Sequence, residues 1–107
     1  MKRLLFLCSR NRLRSPTAET IFAEYPGVET DSAGLSADAD LCLSEEQVEW
    51  ADLILVMERS HRQRLNRGFA KVLRGKKVVV LDIPDDYDFM NPRLVELLRS
   101  RCAPYLP

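Results

Sequence analysis

The sequence has no apolar run near the roughly eighteen residues that a membrane-crossing helix requires. Met1-Lys2-Arg3 and the short apolar stretch after it are too brief for a secretory leader. The chain is therefore expected to stay cytoplasmic, with no membrane partner. It also lacks charge of one dominant sign, because 16 basic and 16 acidic side chains cancel. That balance argues against general nucleic-acid or lipid binding, although it leaves open a nucleic-acid phosphate as a substrate. Cysteine is sparse and odd in number, 3 in 107 residues without paired spacing, which excludes a disulfide framework and points to free thiols in a reducing compartment. With 1 histidine and no grouped Cys or His there is no zinc pattern, and neither a metal nor any other cofactor is expected. Repeats, linkers and low-complexity stretches are missing too, so residues 1–107 read as one domain.

What is present is a regular alternation. Leu4 to Leu7, Leu53 to Met57 and Val78 to Leu81 are continuous apolar runs, the pattern of strands covered on both faces, and Val28 to Ser32 is a shorter strand candidate. Thr17 to Tyr25 places Ala18, Ile21, Phe22 and Tyr25 on one helical face before Pro26-Gly27 breaks it. Leu35 to Leu43 shows no period and reads as a loop, with Cys42 in partly buried packing. Ser44-Glu45-Glu46-Gln47 is a capping box opening a short helix to about Trp50. Ser60 to Leu73 predicts a helix with Leu65, Phe69 and Val72 inward, while Arg59, Arg62, Arg64, Arg67 and Lys71 form a solvated face; Gly75 ends it. Asp82 to Met90 is an acidic loop, and Asn91-Pro92 starts a last helix to about Cys102 with Leu94, Val95, Leu98 and Cys102 inward.

Four strands separated by helical segments, without a hairpin signal, predict an α/β fold of three layers, a four-stranded parallel sheet with helices on both faces. Right-handed crossovers put every loop that follows a strand on one edge. The loop after the first strand and the acidic loop after the last then share a pocket. The arginines of the one, Arg10, Arg12 and Arg14, could face the acids of the other, Asp82, Asp85, Asp86 and Asp88.

The richest stretch is Cys8-Ser9-Arg10-Asn11-Arg12-Leu13-Arg14-Ser15-Pro16. A strand that turns sharply into a helix aims several backbone N–H groups into one concavity, beside the positive end of the helix dipole. That makes an anion cup. Cys8 adds a nucleophile, and its thiolate, the reactive form, is favoured where amides and Arg14 stabilise negative charge. Arg14 adds a planar fork for phosphate oxygens, and the Ser15 hydroxyl can donate to the sulfur. Asn11 tolerates the left-handed backbone that so tight a loop needs. The plain alternative is that a cysteine at a strand end is a small core residue.

Taken whole, the stretch resembles the phosphate loop of the low-molecular-weight protein tyrosine phosphatases, Cys, five residues, Arg, then Ser or Thr. Asp31-Ser32-Ala33-Gly34, Trp50 to His61 and Ile83-Pro84-Asp85 match later segments of that family in order. The resemblance implies a phosphate loop between first strand and first helix, Cys8 as nucleophile, Arg14 and Ser15 as catalytic partners, and hydrolysis of phosphate monoesters, phosphotyrosine in proteins foremost, through a cysteinyl phosphate. It implies loop contacts to substrate from Ser9, Arg10, Asn11, Arg12 and Leu13, and an aromatic at the pocket mouth, Tyr87. Asp85 aligns with the general acid; Asp86, standing where the family has a second proline, is the other candidate, and Asp82 would cap a turn. Ser32-Ala33-Gly34 would prop the phosphate loop. The family is normally longer, the missing length falling between Gly34 and Trp50. Arg10 and Arg12 replace a glycine and an apolar residue, which favours a substrate with negative charge beyond its phosphate, such as an acidic phosphopeptide, a nucleotide or a polynucleotide. Two rivals remain: an arsenate reductase relaying a disulfide through Cys42 and Cys102, and a phosphate-binding module without turnover.

Overall fold

The computed structural model describes residues 1–107. Its elements run β1 (Lys2–Cys8), α1 (Arg14–Phe22), β2 (Val28–Gly34), α2 (Glu45–Trp50), β3 (Leu53–Val56), α3 (Arg59–Gly68), β4 (Lys77–Val80) and α4 (Pro92–Cys102), closed by one 3-10 turn at Ala103–Tyr105. The four strands form one sheet in the order β2-β1-β3-β4, and every pairing is parallel. The expected α/β architecture is therefore the observed one. No helix is long and apolar enough to cross a membrane.

Strand periodicity sorts the core into two layers. Leu4, Phe6 and Cys8 of β1, with Leu53 and Leu55 of β3, face Ala18, Ile21 and Phe22 of α1 and Leu94, Leu98 and Cys102 of α4. The alternate residues Leu5, Leu7, Ile54 and Val56 face Val48 of α2 and Leu65 of α3. Successive side chains of a strand point to opposite faces, so a continuous apolar run is what a sheet sandwiched between helices demands. Phe6 stacks on Phe22 with ring centroids 5.7 Å apart, at the centre of the larger cluster.

N-terminal caps open two of the helices where the sequence indicates. Ser44 and Gln47 exchange side-chain and backbone bonds as a capping box, and Asn91 accepts from the Arg93 amide with Pro92 at the first helical position. Gly27 and Gly75 turn the chain at φ values of 77° and 81°.

Four expectations are corrected. The third helix does not reach Leu73: it stops at Gly68, where Phe69 takes φ −132°, and Phe69, Val72 and Leu73 reach the second core layer from turns. A glycine there lowers helix propensity, and tertiary packing does not require the helix to continue. The first helix ends at Phe22 rather than Tyr25, and β2 runs on through Ser32 to Gly34 because β1 pairs with it as far as Cys8. Cys42, expected in partly buried packing, is exposed.

β1 is central, and the chain leaves it for β2 on one side and returns to β3 on the other. The carboxyl end of β1 is therefore the place where strand order reverses, the usual position for a ligand crevice in an open parallel sheet.

Candidate active site

At that edge residues 8–14 wrap into a cup. The strap that follows β2 braces it from outside. Leu35, Ser36 and Asp40 donate backbone N–H groups to the carbonyls of Cys8, Ser9 and Arg10 at 3.0, 2.9 and 3.0 Å. With those carbonyls engaged outward, the loop's amides are left for the interior. Gly34 makes the brace possible, since a Cβ there would lie 2.5 Å from Ala39 Cβ and 2.6 Å from the Ser9 carbonyl.

Cys8 sits on the floor, 3% exposed. Its Sγ accepts the Asn11 amide at 3.2 Å and lies 2.8 Å from Ser15 Oγ. Asn11 takes φ 57°, and its Nδ2 donates to Ser15 Oγ at 3.0 Å and Ser32 Oγ at 2.9 Å. Ser32 Oγ in turn donates to Glu19 Oε1. The carboxylate can only accept, so this chain has one sense: Ser32 gives its proton to Glu19, Asn11 gives to both serines, and the Ser15 proton is left for the sulfur. A run of buried hydrogen bonds thus ends as two donors on one sulfur, an arrangement suited to a thiolate.

Arg14, whose side chain is 4% exposed, is anchored from behind. Its Nη1 donates to Glu58 Oε2 at 2.6 Å and to the Ile83 carbonyl at 2.7 Å. Nε and Nη2 are left for an anion in the cup, with Asp85 Oδ1 3.7 Å from Nε. A guanidinium this buried needs a carboxylate partner, because an unpaired charge out of water costs several kcal/mol or more.

A second network holds the wall. Glu58 N donates to His61 Nδ1 at 3.1 Å, which assigns the remaining ring proton to Nε2, 3.1 Å from Ser9 Oγ. Arg64 joins the same hydroxyl at 3.1 Å and reaches Ser36 Oγ at 3.0 Å. His61 is held down to about 4 from 6.5, first by burial and then by the nearby Arg14 charge, so the ring is neutral as its acceptor role demands.

The cavity has a volume of about 640 Å³, and Cys8, Ser9, Arg10, Arg12, Leu13, Arg14 and Asp85 all line it, together with Ser36 from the strap. Asn11 and Ser15 lie beneath it as supports. Tyr87 packs, half-buried, against the larger core cluster instead of lining the cavity. Of the acidic loop, only Asp85 reaches the cup, and Asp82, Asp86 and Asp88 are exposed elsewhere. Arg10 and Arg12 do not face that loop: they pair with Asp38 and Asp40 of the strap at 3.7 and 3.1 Å. Arg64, expected on the solvated face of its helix, is half-buried and turned to the cup. Glu58, His61 and Ser36 had no assigned role from the sequence. The available signal was position, since Glu58 follows β3 at the same sheet edge as Cys8.

Among the side chains no group of three or more His, Cys, Asp or Glu is placed to hold a metal ion. No family model matches the sequence, and no curated protein matches it either. Solved structures do match. Wzb from Vibrio vulnificus, in complex with benzylphosphonate, superposes with a TM-score of 0.78 at 25% identity, over 97% of this chain and 96% of that one. A low-molecular-weight protein tyrosine phosphatase from T. tengcongensis gives 0.72 at 24%, covering 96% and 94%. The YwlE arginine phosphatase from Geobacillus stearothermophilus gives 0.73 at 23%, covering 98% and 92%.

Proposed function

We propose that this chain, whose fold is that of the low-molecular-weight protein tyrosine phosphatases, hydrolyses phosphate monoesters through a cysteinyl phosphate. The observation that carries the reading is Cys8 Sγ at the cup floor, receiving the Asn11 amide and facing the Ser15 hydroxyl, with Arg14 and Asp85 lining the same cavity.

The chemistry runs in two displacements. The Cys8 thiolate attacks phosphorus in line, an S–P bond forms, the ester P–O bond breaks, and Asp85 delivers its proton to the departing oxygen. The loop amides and the free edge of Arg14 hold the equatorial oxygens, where charge accumulates in the transition state. Water then gives its proton to Asp85 and attacks phosphorus, the S–P bond breaks, and Ser15 receives the returning sulfur anion. One ester and one water become one alcohol and inorganic phosphate, with the enzyme restored.

Phosphotyrosine in proteins is the substrate the resemblance implies, and the neighbours named for tyrosine and arginine phosphatase activity support the general class. An arsenate reductase would need a relay thiol beside Cys8. Cys102 is buried in the α4 core with its thiol pushed up to about 12 by burial, which speaks against that use.

The deciding experiment is p-nitrophenyl phosphate hydrolysis with EDTA present, in the wild type and Cys8→Ser. Metal-independent turnover lost in the variant is expected. Tight phosphate binding with no turnover in the wild type would instead make the chain a binding module.

A further inference from the structure

We infer that the substrate is a small phosphate monoester whose leaving group carries a second phosphate, bound by Arg10 and Arg12 when it displaces Asp38 and Asp40. This rests on the phosphatase reading and deepens it.

The cavity, about 640 Å³, falls within the size range of small-molecule sites and is several times larger than a phosphoryl group. Its wall is polar. Apart from Cys8 the only hydrophobic residue is Leu13, and no aromatic side chain lines it. An aryl leaving group would find only Leu13 and guanidinium faces, the latter weak partners at an exposed site. A phosphate on the same forks makes charge-assisted, bidentate bonds that are stronger and directional.

The rim arginines are placed for that. Asn11 turns inward beneath the cup, and its neighbours Arg10 and Arg12 project outward, 60% and 47% exposed. Each is covered by a strap carboxylate that is itself about as exposed. Exposed pairs of this kind contribute little to stability, so a phosphate dianion can take the place of the carboxylates at small cost. A neutral leaving group gives the arginines no reason to part from them. The strap is fixed in place by the Ser36 and Asp40 amides, so its acids stay at the rim. Around the cup Arg10 and Arg12 pair with Asp38 and Asp40, Arg14 with Glu58 and Asp85, and Arg64 with the Ser9 and Ser36 hydroxyls. Rim arginines so covered attract single anions weakly and select those with charge to spare.

The test compares matched leaving groups. Phosphate release is measured at low salt from fructose bisphosphate and fructose monophosphate, and from a nucleoside bisphosphate phosphorylated at both ends of its ribose and its monophosphate. A phosphotyrosine peptide with acidic flanks is the fifth substrate. For at least one pair, kcat/KM should favour the bisphosphate by about tenfold or more, and salt should shrink the advantage. Which pair responds separates a sugar from a nucleotide source, and either supports the inference. Arg10→Gln with Arg12→Gln should cut that ratio about tenfold, and Asp38→Asn with Asp40→Asn should widen it several-fold. Single Arg12→Gln repeats the measurement if the double variant folds poorly. An unchanged ratio in Arg12→Gln, no bisphosphate preference, or better turnover of the peptide than of either bisphosphate overturns the inference. If p-nitrophenyl phosphate is still hydrolysed in a Cys8-dependent way, the phosphatase reading survives that result; hydrolysis of nothing overturns both.

Discussion

Arg14 Nη1 and Glu58 Oε2 meet at 2.6 Å behind the cup, so the guanidinium that lines the cavity is held by a carboxylate that follows the neighbouring strand. The same nitrogen also donates to the Ile83 carbonyl, which fixes the plane of the fork. Arg14 is buried and Glu58 is half-exposed, so the pair is worth more than a surface bridge and less than a fully buried one. Glu58→Ala is expected to lower stability by about 2 kcal/mol and kcat/KM by about tenfold or more. Glu58→Gln, which keeps an acceptor, should recover much of the stability. Urea unfolding curves and phosphate-release kinetics give both quantities; an Ala variant as stable and active as the wild type would refute the anchoring role.

Ser15 is the donor left for the sulfur by the Glu19-to-Asn11 chain. Removing a hydrogen bond to a charged group costs about 1.5–3 kcal/mol, or about ten- to a hundredfold in rate. Because that bond matters most when the thiolate departs, Ser15→Ala should slow the second step and let the cysteinyl phosphate accumulate. Rapid quenching followed by mass measurement reads the trapped fraction. Equal kcat and no added intermediate would count against the assignment.

Asp85 is the only residue of the acidic loop that lines the cavity. Asp85→Asn should reduce kcat by about a hundredfold or more on an alkyl phosphate, and less on p-nitrophenyl phosphate, whose leaving group needs little protonation. Asp86→Asn should behave as the wild type. The reverse order would transfer the role to Asp86.

Gly34 has no room for a side chain. Gly34→Ala forces apart the strap and the cup backbone, a clash that overpacking data put at about 1–3 kcal/mol. Thermal melting should show the loss, and inorganic phosphate should protect the variant less than the wild type. A melting temperature equal to that of the wild type would mean the strap yields freely.

His61 couples the wall to pH. The unfolded chain takes up this proton near 6.5 and the folded chain near 4, so between them the unfolded state binds more protons. The stability associated with the neutral ring is thus full above pH 6.5 and is lost as pH falls toward 4. The interval corresponds to about 3 kcal/mol. His61→Gln should show a shallower decline over that window in urea titrations at successive pH values. Parallel curves for the two proteins would exclude the coupling.

Much of this arrangement could be read locally. The strand runs of β1 and β3, the Ser44 and Asn91 caps, and the cup from Cys8 to Ser15 depend on residues within a few positions of one another. Arg64 shows the limit. Its helical spacing is that of a solvated residue, and only the approach of α3 to the strap turns it onto Ser9 and Ser36. Cys42 shows it in the other direction, since nothing local reveals that the strap leaves it exposed.

The sequence by itself determined the alternating pattern that builds a covered parallel sheet, and the Cys8-to-Arg14 loop that can hold an anion. Both follow from periodicity, dihedral tolerance and donor chemistry along a short stretch of chain. Tertiary structure alone decided that Glu58 stands behind Arg14 and that Asp38 and Asp40 cover the rim arginines. Those partners are remote in sequence, and what joins them is the strand order β2-β1-β3-β4 and the fold of the strap, neither of which hydrophobic spacing encodes.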